Sequence, residues 1–211
     1  MTEKPIIFSG PMVRALLAGL KTQTRRVVKR QKHPYGHWLS PDEIALEVHG
    51  RTGAVKSPYG RPGDRLWVRE TWTPGYYHDA DHEDGPRTSI IYRANGTEET
   101  VAAPNYELAE QWRWAYSEDG DEPPRWRPSI HMPRWSSRIT LEITDVRVER
   151  LRQITGSDAV AEGVRSRLPD CGVAQNEFRD LWDAINAKRG HGWETNPWVW
   201  VIEFKRLENK S

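Results

Sequence analysis

Lys21 and Thr24 stand three residues apart in the stretch LLAGLKTQTRR, just past a glycine that stops one element and just before another begins. A threonine hydroxyl is a weak nucleophile at neutral pH and needs a base. A partly desolvated lysine amine is one such base. Arg25 and Arg26 adjoin the pair, and nearby positive charge lowers the pKa of an ammonium group. In a strictly alternating strand Lys21 and Thr24 would face opposite ways, but a turn-to-strand transition breaks the alternation and lets them converge. The same residues also suit an ordinary solvated edge strand, on which lysine discourages pairing with another chain. On either reading, Arg14, Lys21, Arg25, Arg26, Lys29 and Arg30 fall in one run with no acidic residue. That run is a patch suited to phosphate.

The elements that must position these groups are legible in outline. KPIIFSG reads as a short buried strand over Pro5 to Phe8. Ser9 and Pro11 then suit the start of a helix that Gly19 stops. TQTRRVV alternates as a second strand. Residues 29–60 read as a long loop with one short element, DEIALEVHG. Pro62-Gly63-Asp64 turns into a strand over Leu66 to Glu70. Residues 72–88 look loop-like, SIIY reads as a strand before a turn at Asn95-Gly96, and 97–136 have weak periodicity. The alternation of Ile139, Leu141 and Ile143 is the strongest strand signal in the chain. A short helix follows, capped by Ser157 or Asp158 and ended by Gly163. Next comes an amphipathic helix with Phe178, Leu181, Trp182 and Ile185 on one face. WVWVIEFKRL closes as a strand. About six strands and three or four short helices, without crossover helices of regular length, predict an α+β chain. A small curled mixed sheet or barrel with helices at its ends fits that count.

Composition bounds the partners. The 211 residues suffice for one large domain. A net charge of +1 excludes a globally basic nucleic-acid coat, so an anionic partner must be met locally. The lone Cys171 excludes an internal disulfide. With no leader-like N-terminus, it predicts a reducing, cytoplasmic setting. No apolar run approaches the length of a membrane span. The seven histidines and one cysteine show no zinc-ribbon spacing, so neither a metal nor another cofactor is expected.

Gly19-Leu20-Lys21-Thr22-Gln23-Thr24-Arg25 resembles the G-x-K-T-x-T-x-R signature of ASCH domains, which have a PUA-like β-barrel fold. Gly63-Asp64, the stretch from Asp158 to Gly163, and Val201-Ile202-Glu203-Phe204-Lys205 match in order, so the likeness spans the chain with gaps. It implies a single domain over 1–211, with loop-rich insertions at about 29–60 and 72–130 that small members lack. The layout is similar to larger ASCH-type proteins common in bacteriophages and prophages. Some small ASCH domains are amidohydrolases that deacetylate N4-acetylcytidine with a lysine, a threonine and a glutamate. By resemblance these are Lys21, Thr24 and Glu162 here. Arg25 or Arg26 would hold substrate or an oxyanion. Other PUA-like domains bind RNA or modified bases without turnover, and some are assigned nuclease activity. A modified nucleoside or RNA is therefore the implied partner.

Other groups have two readings each. Glu70 in VRETW is a second candidate carboxylate, and the flanking Trp67 and Trp72 would wall a base pocket, with packing in the core an equal reading for Trp67. Trp112, Trp114, Trp126 and Trp135, interleaved with Arg113, Arg125, Arg127 and Arg134, could stack unpaired bases or anchor an insertion. His78 and His82 sit in an acidic run between Gly75 and Gly85, and a solvated loop is the simpler reading of it. His131 and Cys171 receive no role.

Overall fold

A computed structural model describes residues 1–50, 53, 55–79, 81–115, 125–164 and 172–208, with backbone only for 76–78 and 113–115. In chain order the elements are β1 (Glu3–Ile7), α1 (Gly10–Leu17), β2 (Gln23–Val27), β3 (Gln31–Lys32), β4 (Trp38–Leu39), α2 (Pro41–His49) and β5 (Arg65–Arg69). There follow β6 (Trp72–Asp79), β7 (Arg87–Tyr92), β8 (Glu98–Ala102), α3 (Tyr106–Ala115) and β9 (Thr140–Arg150). The last three are α4 (Gly156–Ala161), α5 (Val173–Asn186) and β10 (Trp198–Leu207). The class is α+β, as expected. No helix among the described residues is long and apolar enough to cross a membrane.

Five strands form a sheet in the order β1-β5-β9-β10-β2, β3 and β4 form a hairpin, and β6-β7-β8 form a three-stranded meander. The chain divides into two compact units. The first comprises Met1–Lys4, Ala15–Leu66 and Leu141–Leu207, and the second is mainly Pro5–Arg14 and Trp67–Thr140.

In the first unit β2 runs antiparallel to β10 with an unbroken register, from Gln23 opposite Glu203 to Val27 opposite Val199. The core there joins Leu151, Ile154, Ala159, Val164, Ala174, Phe178, Trp182, Val199 and Val201. On α5 the buried row is Ala174, Phe178 and Trp182, spaced by four. That row is narrower than the stripe read from the sequence: Leu181 is 48% and Ile185 40% exposed. The start of α4 also differs from expectation. Its cap is Thr155, whose hydroxyl accepts the Asp158 N–H while Asp158 accepts the Thr155 N–H. The reciprocal box satisfies two orphan donors at once, which a cap at Ser157 would not do.

The second unit has its own core of Trp72, Ile90, Tyr92, Trp112 and Met132. Residues 72–88 are not the loop expected of them, because β6 opens there. Pro74 and Gly75 read as breakers, and the register against β7 shifts between Pro74 and His78. A bulge of this kind destroys the period-two signal. Gly75 leaves room at that point: a Cβ there would displace the Ser89 hydroxyl and the Glu98 carboxylate.

Denaturant unfolding tests the α5 assignment. Phe178→Ala should cost about 3–5 kcal/mol, whereas Leu181→Ala should stay within about 0.5 kcal/mol, as surface changes do.

Candidate functional site

The buried polar site of the first unit is built where α1 ends. The Ala15 carbonyl accepts from the N–H groups of Leu20 (2.9 Å) and Lys21 (3.2 Å), and Gly19 takes φ +70° to allow the turn. The chain then meets the end of α4. Thr22 N–H donates to the Ala161 carbonyl at 2.9 Å, and Lys21 forms a single antiparallel bridge with Glu162. On the other side Phe204 N–H donates to the Thr22 carbonyl at 2.9 Å.

The α4 terminus is shaped for this approach. Gly163 N–H bonds the Val160 carbonyl at 2.8 Å and Val164 N–H the Ala159 carbonyl at 3.3 Å, the two bonds of a Schellman ending. Gly163 has φ +95°, and a Cβ there would lie 3.0 Å from Ala15 Cβ and 3.3 Å from Lys21 Cβ. A side chain at 163 would push Lys21 away from the Glu162 carbonyl.

Lys21 Nζ donates to Glu162 Oε2 at 2.7 Å, to the Glu162 carbonyl at 2.8 Å and to the Gln23 carbonyl at 2.8 Å. These three bonds match the three hydrogens of an ammonium. The side chains are 0% and 5% exposed respectively. Burial holds the Lys21 pKa below its ordinary value; Glu162 opposes that shift, and the charges of Arg26 and Arg25 add to it.

Arg25 continues the network. Its Nη1 lies 3.4 Å from Glu162 Oε1 and also meets Gln23 Oε1. Its Nη2 lies 3.4 Å from Asp158 and 3.5 Å from Glu149, and its guanidinium carbon is 5.9 Å from the Phe178 ring centre. Gln23 Nε2 donates to Asp158 Oδ1 at 3.2 Å and to Glu203 Oε1 at 3.1 Å, directly across the β2–β10 ladder. Arg147 gathers Glu149, Glu203 and Asp145 at the rim. Burial of the Asp158 carboxyl is outweighed by its bonds from Thr155, from Gln23 and by the charge of Arg25, so its pKa is lowered.

Thr24 lies between Gln23 and Arg25 in β2, opposite Ile202, and is 2% exposed. Strand alternation puts Thr24 and Arg26 on the face opposite Gln23 and Arg25. Arg26 is held below its ordinary pKa by burial, opposed by Tyr59 and Glu162. Tyr59 in turn is raised by burial and lowered by Arg26.

Glu70, Trp67 and Trp72 belong to the second unit. Both Glu70 oxygens are held by Arg138, Oε1 by Nε at 3.0 Å and Oε2 by Nη2 at 3.1 Å. Burial raises the Glu70 pKa against the pull of Arg138. Trp72 lies in the core against Trp112 and Trp135, with ring centres 6.0 and 6.5 Å away, rather than in a wall facing a base. Trp67 is also buried, with the Arg69 guanidinium 4.7 Å from its ring centre. In the acidic run, Asp81 N–H turns back to Asp79 and Asp84 N–H to His82. The side chain of His78 and residue Cys171 lie outside the described residues. Among those described, no group of three His, Cys, Asp or Glu is placed to hold a metal ion.

The sequence reading passed over Gln23, Glu149, Asp158, Glu203 and Arg138. Two of them had a signal: once β2 and β10 are paired, Gln23 and Glu203 fall opposite each other. Arg138 had none, because its partner is 68 residues away in the chain.

No family model matches the chain, and no curated protein matches it. Among solved structures it is similar to an ASCH domain from Lactobacillus crispatus JV V101, at a TM-score of 0.40 and 10% identity. The similarity covers 97% of this chain and 79% of that one.

Removing one partner of a buried pair strands the other. Glu162→Gln should cost about 3–5 kcal/mol in denaturant unfolding at pH 7, and adding Lys21→Met should recover part of it. The pH trend follows from the direction of the Lys21 shift. Between its lowered folded pKa and the ordinary 10.5, the unfolded chain binds the extra proton. Stability contributed by residue 21 is therefore present in full above 10.5 and falls as pH drops through the folded pKa. Wild type should gain on Lys21→Met as pH rises towards 10.5; the reverse trend would show a raised pKa.

Proposed function

We propose that the chain is a metal-independent amidohydrolase of the ASCH type that removes the acyl group from a modified cytosine nucleoside resembling N4-acetylcytidine, free or in RNA. The observation that supports this reading is the buried Lys21–Glu162 pair at 2.7 Å, reached by the same short stretch that carries Thr24. In such contact, out of water, the ammonium can pass a proton to the carboxylate. The exchange yields a neutral amine and a carboxylic acid.

The steps then balance as follows. Neutral Lys21 takes the Thr24 hydroxyl proton as that oxygen bonds to the acyl carbon. Arg26, on the same face of β2 as Thr24, stabilises the oxyanion. The C–N4 bond breaks, and the leaving amine takes the proton held by Glu162. Water, deprotonated by the now anionic Glu162, attacks the threonyl ester, and Thr24 recovers its hydroxyl proton from Lys21. The products are cytidine and acetic acid, which ionises to acetate in solution.

The second reading, a PUA-like module that binds the modified base without turnover, is favoured by the full set of bonds already made by Lys21 Nζ. Acetate release from N4-acetylcytidine separates the two. Wild type should release acetate, Thr24→Val should fall by about 10³-fold or more, and Lys21→Met and Glu162→Gln by about 10²–10⁴-fold. Saturable binding of the nucleoside without acetate would favour the binding module, and strand scission of RNA would point to a nuclease.

A further inference from the structure

Within the second unit a polar cavity of about 300 Å³ is lined by Gly10, Arg14, Glu70, Thr71, Arg93 and Ala94. We propose that it binds a phosphate of a single-stranded oligonucleotide, with Arg14 and Arg93 on the phosphate and Trp126 as the stacking platform for an adjoining base. The site shares no residue with the Lys21–Glu162 network and does not rest on the proposed hydrolysis.

Three observations carry it. First, neither arginine is paired with a carboxylate among the described residues. Arg14 Nη1 donates to the Ala94 carbonyl at 2.7 Å, which fixes the guanidinium at the cavity and leaves its other N–H groups. Arg93 donates its backbone N–H to the Thr71 carbonyl at 3.0 Å, and its guanidinium lies 5.6 Å from the Trp126 ring centre. Both arginines are exposed. A planar guanidinium presents paired donors that match phosphate oxygens.

Second, the acid on the wall does not oppose an anion. Glu70 is 2% exposed and both its oxygens are held by Arg138. Arg138 also donates to Glu99 at 2.9 Å and to Asn95 at 3.0 Å, and lies 3.9 Å from the Tyr92 ring centre. The Glu70 charge is therefore matched inside the fold, while among the described residues no carboxylate is paired with Arg14 or Arg93. Thr71 adds a hydroxyl to the lining.

Third, an aromatic surface stands beside the cations. Trp126 is 44% exposed, whereas Trp72 and Trp112 of the same unit are 2% and 4% exposed. The arginine that lines the cavity also lies over Trp126, so a phosphate on Arg93 brings the neighbouring base to the indole. Every base offers a face to such a platform, which makes the binding tolerant of sequence.

The test is fluorescence anisotropy with a labelled octauridylate at several salt concentrations. Wild type should bind at about 50 mM salt, and Arg14→Gln/Arg93→Gln should bind about tenfold or more weakly. Loss of the one phosphate contact that the two arginines share should also flatten the slope of log K against log salt by about 0.7. Trp126→Ala should cost about 5- to 150-fold. Both arginines are exposed, and the variant's thermal melt checks that it is folded. If it is not, the wild-type salt slope alone decides, since a slope shallower than about 0.7 means less than one phosphate contact. The proposal is overturned if wild type fails to bind at about 100 μM protein, or if a folded double variant binds as wild type does. It is also overturned if inorganic phosphate displaces the label as readily as unlabelled octauridylate.

Discussion

Burying the Lys21 ammonium is the constraint around which the first unit is arranged. Moving one such charge out of water costs several kcal/mol even after relaxation, and only close partners offset it. Those partners come from three places: the Glu162 carboxylate, the Glu162 carbonyl and the Gln23 carbonyl. Each demands a separate piece of architecture. The carbonyl of Glu162 faces Lys21 because α4 ends there in a Schellman turn, and that turn needs Gly163 at positive φ. The Gln23 carbonyl is fixed by the β2–β10 register. The Thr155–Asp158 box sets where α4 starts, hence where it ends, and the Asp158 Oδ2 that closes the box also faces Arg25. A cap, a glycine and a strand register thus serve a single amine.

Much of this frame was legible in the sequence where a local rule operates without interference. The alternation of β9, the helix of α5, the glycine stop after α1 and the closing strand were read within a few residues of their bounds. Legibility failed where two rules competed. Pro74 and Gly75 look like breakers, yet they sit in β6: Pro74 stays paired with Ile90 just before the register shifts, and Gly75 lies where the Ser89 and Glu98 side chains come close. Thr155 was passed over because Ser157 and Asp158 have equally good capping chemistry, and only the reciprocal bond decides among them. On α5, periodicity marks every apolar residue alike; it cannot say that Leu181 and Ile185 fall beside the packed row instead of in it.

The candidate site divides in the same way. Lys21 and Thr24 could be singled out from residue type and spacing, and the burial-lowered pKa required of Lys21 is the direction found. Glu162 could be reached only by resemblance, because no local signal links residues 141 apart. The surrounding ring of Gln23, Arg25, Glu149, Asp158, Glu203 and Arg147 is a product of strand pairing and was invisible to a reading of one segment at a time. Trp72 shows the opposite error: an indole beside a carboxylate suggests a base pocket, but in this chain it fills a core.

Among the described residues two buried carboxylates are held by cations, and the cation decides which can do chemistry. Arg138 grips both Glu70 oxygens in a planar fork and lies against Tyr92. A guanidinium does not give up its proton in a protein, so that pair can only hold charge and position. Its neighbours Asn95 and Glu99 bind the same fork and fix it further. Lys21 meets one oxygen of Glu162 through a point contact, and its ammonium has a pKa that burial has already brought down. Arg25, on the other oxygen, stands at 3.4 Å and keeps that carboxylate oriented while lowering the proton affinity of Lys21. Proton transfer requires a donor that can part with its proton and an acceptor held in line with it. Of the two pairs, Lys21–Glu162 meets both requirements and Arg138–Glu70 meets one. The same comparison explains why Glu70, although as deeply buried, is read as a wall of its cavity and not as an acid or base.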